Sequence, residues 1–240
     1  GEGAAKSPTP GELNTKKVVP RKFQVTFRIS NEVMWADEDY QLGVLAAIEE
    51  KGSLAIGRAL DIIGIHKINP LSGTAATSVT EGIASTANAV TLGDSTDYVA
   101  AVESAQDLVI ADGYIPTGYA FDTAFANCLR KQRNANGMRL EECQGVKLNG
   151  VGEFDGTICA SSDTVSALKE AKAATGIKAI CGDFGAFKWG VQRGIAAELI
   201  EYGDPDGLGD LKRNNQVAVR LEVVYGIGIM DANAFAVIKA

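Results

Sequence analysis

Residues 37–70, DEDYQLGVLAAIEEKGSLAIGRALDIIGIHKINP, constrain this chain more than any other stretch. Asp37 is placed to cap a helix whose first turn carries Glu38 and Asp39, and Pro70 ends the run beyond His66 and Lys67. Between them Leu42, Leu45, Ile48, Ile56, Leu60 and Ile63 recur at helical spacing. The pattern predicts one helix over about 38–66, roughly 40 Å long, more than a small compact domain needs. Gly43, Gly52 and Gly57 each cost about 1 kcal/mol relative to Ala inside a helix, so tertiary contact or a bend must offset them. His66, at the carbonyl end of the helix, is expected as a partly exposed imidazole.

Two alternating runs supply strands of matching character. In 23–29, FQVTFRI, Phe23, Val25, Phe27 and Ile29 share one face, with Gln24, Thr26 and Arg28 on the other. In 216–229, QVAVRLEVVYGIGI, Val217, Val219, Leu221, Val223, Tyr225, Ile227 and Ile229 do the same over a longer span. Between the helix and that last strand, 71–94 are small and polar and predict a loop. A second helix is expected at about 95–111, a strand at 114–121, and a third helix from Asp122 or Thr123 to about Arg133. Glycine-punctuated short strands follow over 136–161, then a short helix at 163–174. Residues 196–215 suggest a hairpin-like acidic turn, and AFAVIKA a terminal strand. The order of elements is α+β rather than a regular βαβ series.

Composition excludes several classes. The 240 residues are 46% hydrophobic and 22% charged, as in ordinary globular proteins. Apolar runs such as VVYGIGIM (223–230) fall far short of the ~20 residues that span a bilayer, so no membrane is expected. The net charge of −7 argues against binding driven by phosphate neutralisation. Residues 1–30 nevertheless carry six basic groups against two acidic ones, a balance of +4 that leaves −11 for the other 210. A basic arm on an acidic body suits contact with a neighbouring copy, and a solvated Lys-rich edge suits it equally. Cys128, Cys143, Cys159 and Cys181 show no CxxC pair, and with one His in the chain a zinc site is not expected. They are expected as reduced, mostly buried thiols of an intracellular product.

No catalytic constellation assembles. GVGEFDG (150–156) is superficially like a dinucleotide loop but leads into strand-like TICASS, so a turn between strands is expected and no cofactor. DPDGLGD (204–210) groups three carboxylates without the third loop ligand or distal Glu of an EF-hand. A solvated hairpin tip is the expectation there; a small metal-dependent enzyme using Asp204, Asp206 and Asp210 is the alternative.

GEGAAKSP, followed by VVPRKFQVTFRISNEVMWADEDYQLGVLAAIEEKGSLAIGRALD, resembles the tailed-bacteriophage major capsid protein family with the Hong Kong 97-type coat fold. DYVAAVESAQDLVIADGYIPTGYAFDTAFANCLRK, LNGVGEFDGTICASS, GDFGAFKWGVQRG and NNQVAVRLEVVYGIGIMDANAFAVIKA continue the resemblance in order, over residues 2–240. It implies an E-loop return segment at 1–22, with the family's N-terminal arm and outgoing strand preceding Gly1. Since Gly1 is not Met, the natural start is expected to have been removed by processing or truncation. It further implies a peripheral P domain at 23–92 and 188–226, and an axial A domain at 93–187 closed by the strand at 227–240.

The implied function is a shell subunit: pentamers and hexamers forming an icosahedral head around double-stranded DNA, assembled in the host cytoplasm. The implied partners are other copies of the chain, a scaffolding segment or protein, a portal and a maturation protease. An encapsulin-type compartment shell is the same-fold alternative. Some members crosslink a Lys to a neighbour's Asn with a Glu assisting; the corresponding positions here are Lys6, Asn215 (or Asn214) and Glu222. No other catalytic role, and no metal or cofactor, is implied.

Overall fold

The structure, a computed structural model, describes residues 15–77, 79–93, 96–167 and 175–240. Lys6 and the rest of 1–14, and most of the helix expected at 163–174, lie outside the described residues. In chain order the elements are β1 (Arg21–Ser30), α1 (Glu38–His66), β2 (Ala89–Thr91), α2 (Tyr98–Ala111), β3 (Gly118–Phe121) and α3 (Thr123–Lys131). They continue with β4 (Gly150–Phe154), β5 (Thr157–Ser161), β6 (Ile177–Gly182), β7 (Phe187–Ile200), β8 (Gln216–Ile229) and β9 (Phe235–Lys239).

The two long alternating runs become neighbours. β1 pairs antiparallel with β8 in a register that sets Phe23 opposite Val223 and Val25 opposite Leu221. β7 adds to the other side of β8, giving the order β1-β8-β7. One face of β1 and β8 is covered by α1, where Phe23, Ile56, Leu221 and Val223 are buried together with Val25, Phe27, Ala59 and Ile63 around them. The helix starts where Asp37 accepts a hydrogen bond from the Tyr40 amide at 2.8 Å. It ends where Lys67 turns left-handed at φ 57° and its amide returns to the Ile63 carbonyl.

Two glycines in α1 are explained by what sits on them. A Cβ at Gly52 would overlap Leu221 Cδ1, and one at Gly64 would come within 2.8 Å of the Phe187 ring. Gly43 and Gly57 have open space instead. The helical stripe is only partly buried, and the expectation for His66 is corrected. Leu42 and Leu45 are exposed, because the stripe is buried only from Ile48 onward. His66 is buried, 7% exposed, because the connection after β5 packs against the last turn of the helix.

The second sheet has the order β2-β9-β6-β3-β5-β4 and is mixed: β3–β5 and β2–β9 are parallel, the other pairs antiparallel. α2 and α3 lie against it with Val102, Val109, Phe121, Phe125, Leu129 and Phe154 at the centre. Phe121 stands at the middle of this cluster, its ring tilted against Phe125 and edge-on to Phe154. A second apolar layer holds Ile180, Phe235 and Val237 with Ile83, Val165 and Ile229. Asp122 caps α3, which ends at Lys131 rather than near Arg133.

The described residues of 71–93 are more ordered than a loop. Ile68 bridges to Ala75, Ile83 is buried, Thr86 Oγ1 donates to the Phe235 carbonyl at 2.8 Å, and β2 joins the sheet edge. The small polar residues of this stretch carry no periodicity, so these long-range contacts leave no local signal. Likewise β7 runs on to Ile200, so the expected turn shortens to 201–215. Sheet membership places 89–91 in the six-stranded sheet and 227–229 in the three-stranded one.

Candidate functional site

The acidic turn between β7 and β8 is organised by a cation from β1. Arg28 Nε donates to Asp206 Oδ1 and Oδ2 at 3.0 and 2.9 Å, and a second nitrogen also meets Asp206. Nη2 reaches Asp204 Oδ1 at 3.0 Å and the Gly209 carbonyl at 2.8 Å, while Nη1 reaches Gln216 Oε1 at 3.2 Å. The carboxylates turn back on their own loop: Asp204 accepts from the Gly209 amide, Asp206 from the Leu208 amide, and Asp210 from the Arg213 amide. Arg220 Nη2 donates to the Pro205 carbonyl at 2.8 Å. Hydrogen bonding to Arg28 holds the Asp206 carboxyl below its ordinary range, and the same contact raises the guanidinium.

The tip is solvated as expected and is in addition clamped, and the metal-enzyme alternative loses its ligands. Asp204 and Asp206 are occupied by a guanidinium fork, and Asp210 caps the following turn. Among the described residues no group of three or more His, Cys, Asp or Glu side chains is placed to hold a metal. Arg28 was visible in the sequence only as one polar residue of an alternating strand; its partners lie more than 170 positions away.

Of the crosslink positions, Asn215 and Glu222 are described. Asn215 takes a left-handed φ of 53° just before β8 and accepts from the Asn31 side-chain amide at 3.0 Å, while its carbonyl accepts from the Asn31 backbone. Asn214 donates its backbone amide to Asp210 and Leu211 carbonyls. Glu222 lies across from Gln24 and Ala196 in the sheet. Lys22 Nζ approaches it at 2.6 Å and Arg193 Nη1 at 3.5 Å. The Lys22 hydrogen bond depresses the Glu222 carboxyl, which makes it a weaker proton acceptor. Seven residues along the chain separate Asn215 from Glu222, about 23 Å of strand rise within one subunit.

Two further surfaces stand out. β7 is an edge strand that α1 meets only at Phe187, so Trp189, Val191, Ile195 and Leu199 are each about half exposed. Before β1, Val18 seats on β8 where a Cβ at Gly228 would come within 2.6 Å of it. Beside it Lys16 Nζ pairs with Glu81 at 2.7 Å and donates to the Ile229 carbonyl at 3.0 Å. The described end of the basic segment therefore lies on its own subunit. The cysteines are unpaired; burial pushes the Cys143 thiol up to about 11 and Cys181 to about 12. Among the described residues no helix is long and apolar enough to cross a membrane.

A family profile described as "Phage capsid protein" matches residues 13–239. A solved structure from Mycobacterium phage Ogopogo is 42% identical, with a TM-score of 0.82, covering 98% of this chain and 83% of that one. One from Gordonia phage Cozz is 31% identical, with a TM-score of 0.76, covering 98% and 78%. At 16% identity, "Capsid of empty GTA particle computed with C5 symmetry" shares the fold, with a TM-score of 0.59 over 100% of this chain and 80% of that one. No curated protein matches the chain. A profile over almost the whole length, with a relative at 42% identity, decides between the two shell readings: the chain belongs to the phage capsid protein family, a structural and non-enzymatic family, and is a subunit of a phage capsid shell.

Proposed function

We propose that this subunit is the major coat protein of an icosahedral head, assembling with copies of itself into pentamers and hexamers around double-stranded DNA. The observation that carries the reading is the family match over residues 13–239 together with a fold shared with a capsid described with C5 symmetry. In this assignment α1 with β1, β7 and β8 forms the peripheral P domain, and the six-stranded sheet with α2 and α3 forms the axial A domain. The segment before β1 is assigned to the return side of an E-loop, its described end packed on its own subunit through Lys16 and Val18. A scaffolding segment or protein, a portal and a maturation protease complete the assembly.

Three features support a partner-dependent subunit. The 14-residue edge strand β7 exposes apolar side chains that a lone soluble domain ordinarily covers or charges. Leu42 and Leu45 extend the apolar stripe of α1 beyond the floor that covers it. The clamped loop 201–215 presents Leu208, 73% exposed, on a rigid base. The acidic charge is compatible with an enclosed genome, whose field is screened within about 10 Å at 0.1 M salt.

Substitution on β7 tests the reading. Replacing Trp189 and Val191 with Asp and Lys leaves a folded subunit, because neither belongs to its core, but abolishes capsomers in sizing and electron microscopy. Normal shells from that variant would contradict it.

A further inference from the structure

The two sheets are joined by a polar seam along the last turns of α1. Arg58 Nη2 donates to Asp163 Oδ1 at 2.8 Å, Thr164 Oγ1 donates to Asp61 Oδ2 at 3.3 Å, and His66 Nε2 lies 3.0 Å from the Thr164 carbonyl. Asp163 and Thr164 belong to the connection after β5, in the six-stranded sheet; the helix belongs to the other body. Ile62 and Ala167, both buried, fill the same joint with Ile68. The imidazole is the chain's single histidine, and it is more than nine-tenths buried.

The hydrogen bonding fixes what the ring can do. A carbonyl only accepts, so Nε2 carries the proton and donates to Thr164. That leaves Nδ1 as a buried nitrogen with no hydrogen-bond partner. A neutral ring tolerates an unfilled acceptor, whereas a protonated ring places a charge and a second N–H in the same enclosed position. We propose that His66 is the latch of an acid-sensitive joint: neutral, it ties α1 to Thr164 and fixes the two sheets relative to each other, and its protonation opens the seam.

The direction follows from the surroundings. Burial lowers the affinity of His66 for a proton, and this outweighs the opposing pull of the Thr164 and Val165 backbone groups. The charged groups around the joint, among the described residues, are Arg58 and Asp61 on the helix, Lys67 after it and Asp163 across the seam. Glu81, paired with Lys16, lies beside Gly82, which packs on the backbone of 65 and 67. Arg58 and Asp163 neutralise one another, and Lys67 points away to the Thr80 carbonyl at 2.9 Å. Asp61 is held above its ordinary range first by desolvation, so it takes up a proton more readily in the folded chain and its titration does not open the seam on acidification. Because the folded-state value of His66 lies below the unfolded one, its contribution is complete above about pH 6.5 and is lost as pH falls below that.

Hydrogen exchange on the unassembled full chain from pH 7.5 to 5, corrected for intrinsic rates, tests the latch. Amides of 60–68 and 161–167 are expected to lose protection by up to about tenfold per pH unit below 6.5, while β8 and β9 keep theirs. His66→Gln retains an N–H donor for the Thr164 carbonyl and cannot ionise, so its profile is expected to be flat. An acid response unchanged in His66→Gln, or abolished by Asp61→Asn alone, overturns the proposal. Should His66→Gln fail to fold, the imidazole resonances of the wild-type chain decide: titration below 6.5 coincident with loss of protection supports the latch, and titration without it refutes it.

Discussion

Leu221 of β8 occupies the space above Gly52 of α1 that a Cβ would need, so helix and sheet meet closely enough to bury Phe23, Ile56 and Val223 beside them. Gly52→Ala is expected to destabilise the unassembled subunit by about 1–3 kcal/mol, since Leu221 or the helix must move. Gly43→Ala and Gly57→Ala, which meet nothing, are expected to stabilise it by about 0.5–1 kcal/mol each. Urea unfolding of the three variants measures the contrast.

Arg28 is the one side chain that gathers Asp204, Asp206, Gly209 and Gln216. Arg28→Ala is expected to loosen 201–215, seen as faster proteolytic cleavage within that loop. Arg28→Lys restores the charge but not the planar fork, and is expected to recover only part of the protection. Asp206 is depressed by this contact, so its contribution is complete at neutral pH and is lost as pH falls below about 4.

Cys143, Cys159 and Cys181 are buried, and Cys128 is partly exposed. The native subunit at pH 8 is expected to react with a thiol reagent rapidly at one cysteine and slowly at the other three, whose thiols burial keeps protonated. Mass spectrometry of the labelled protein identifies the modified position, expected to be Cys128.

Glu222 is held by Lys22 and Arg193, which leaves it poorly suited to take a proton from an attacking lysine. Assembled subunits are therefore expected to run as monomers after heating in SDS. Ladders of dimers to hexamers would instead assign Lys6, Asn215 and Glu222 to a crosslink.

Much of the spine and sheet was legible in the sequence because its signals are local. Asp37 caps, Phe23 to Ile29 alternate, and Val217 to Ile229 alternate. What escaped depends on contacts across long separations. Thr86 bonds Phe235, Arg28 bonds the 204–209 loop, and His66 is buried by a connection about 100 residues later. The apolar run of β7 is hidden because Arg193 and Ala197 break the series Trp189, Val191, Ile195 and Leu199, and two register shifts displace it.

Electron microscopy of the assembled protein is the decisive measurement. Closed shells with fivefold vertices are expected, into whose density α1 and the β1-β8-β7 sheet fit as one repeating unit. A soluble monomer that forms neither rings nor shells at any protein or salt concentration would contradict it.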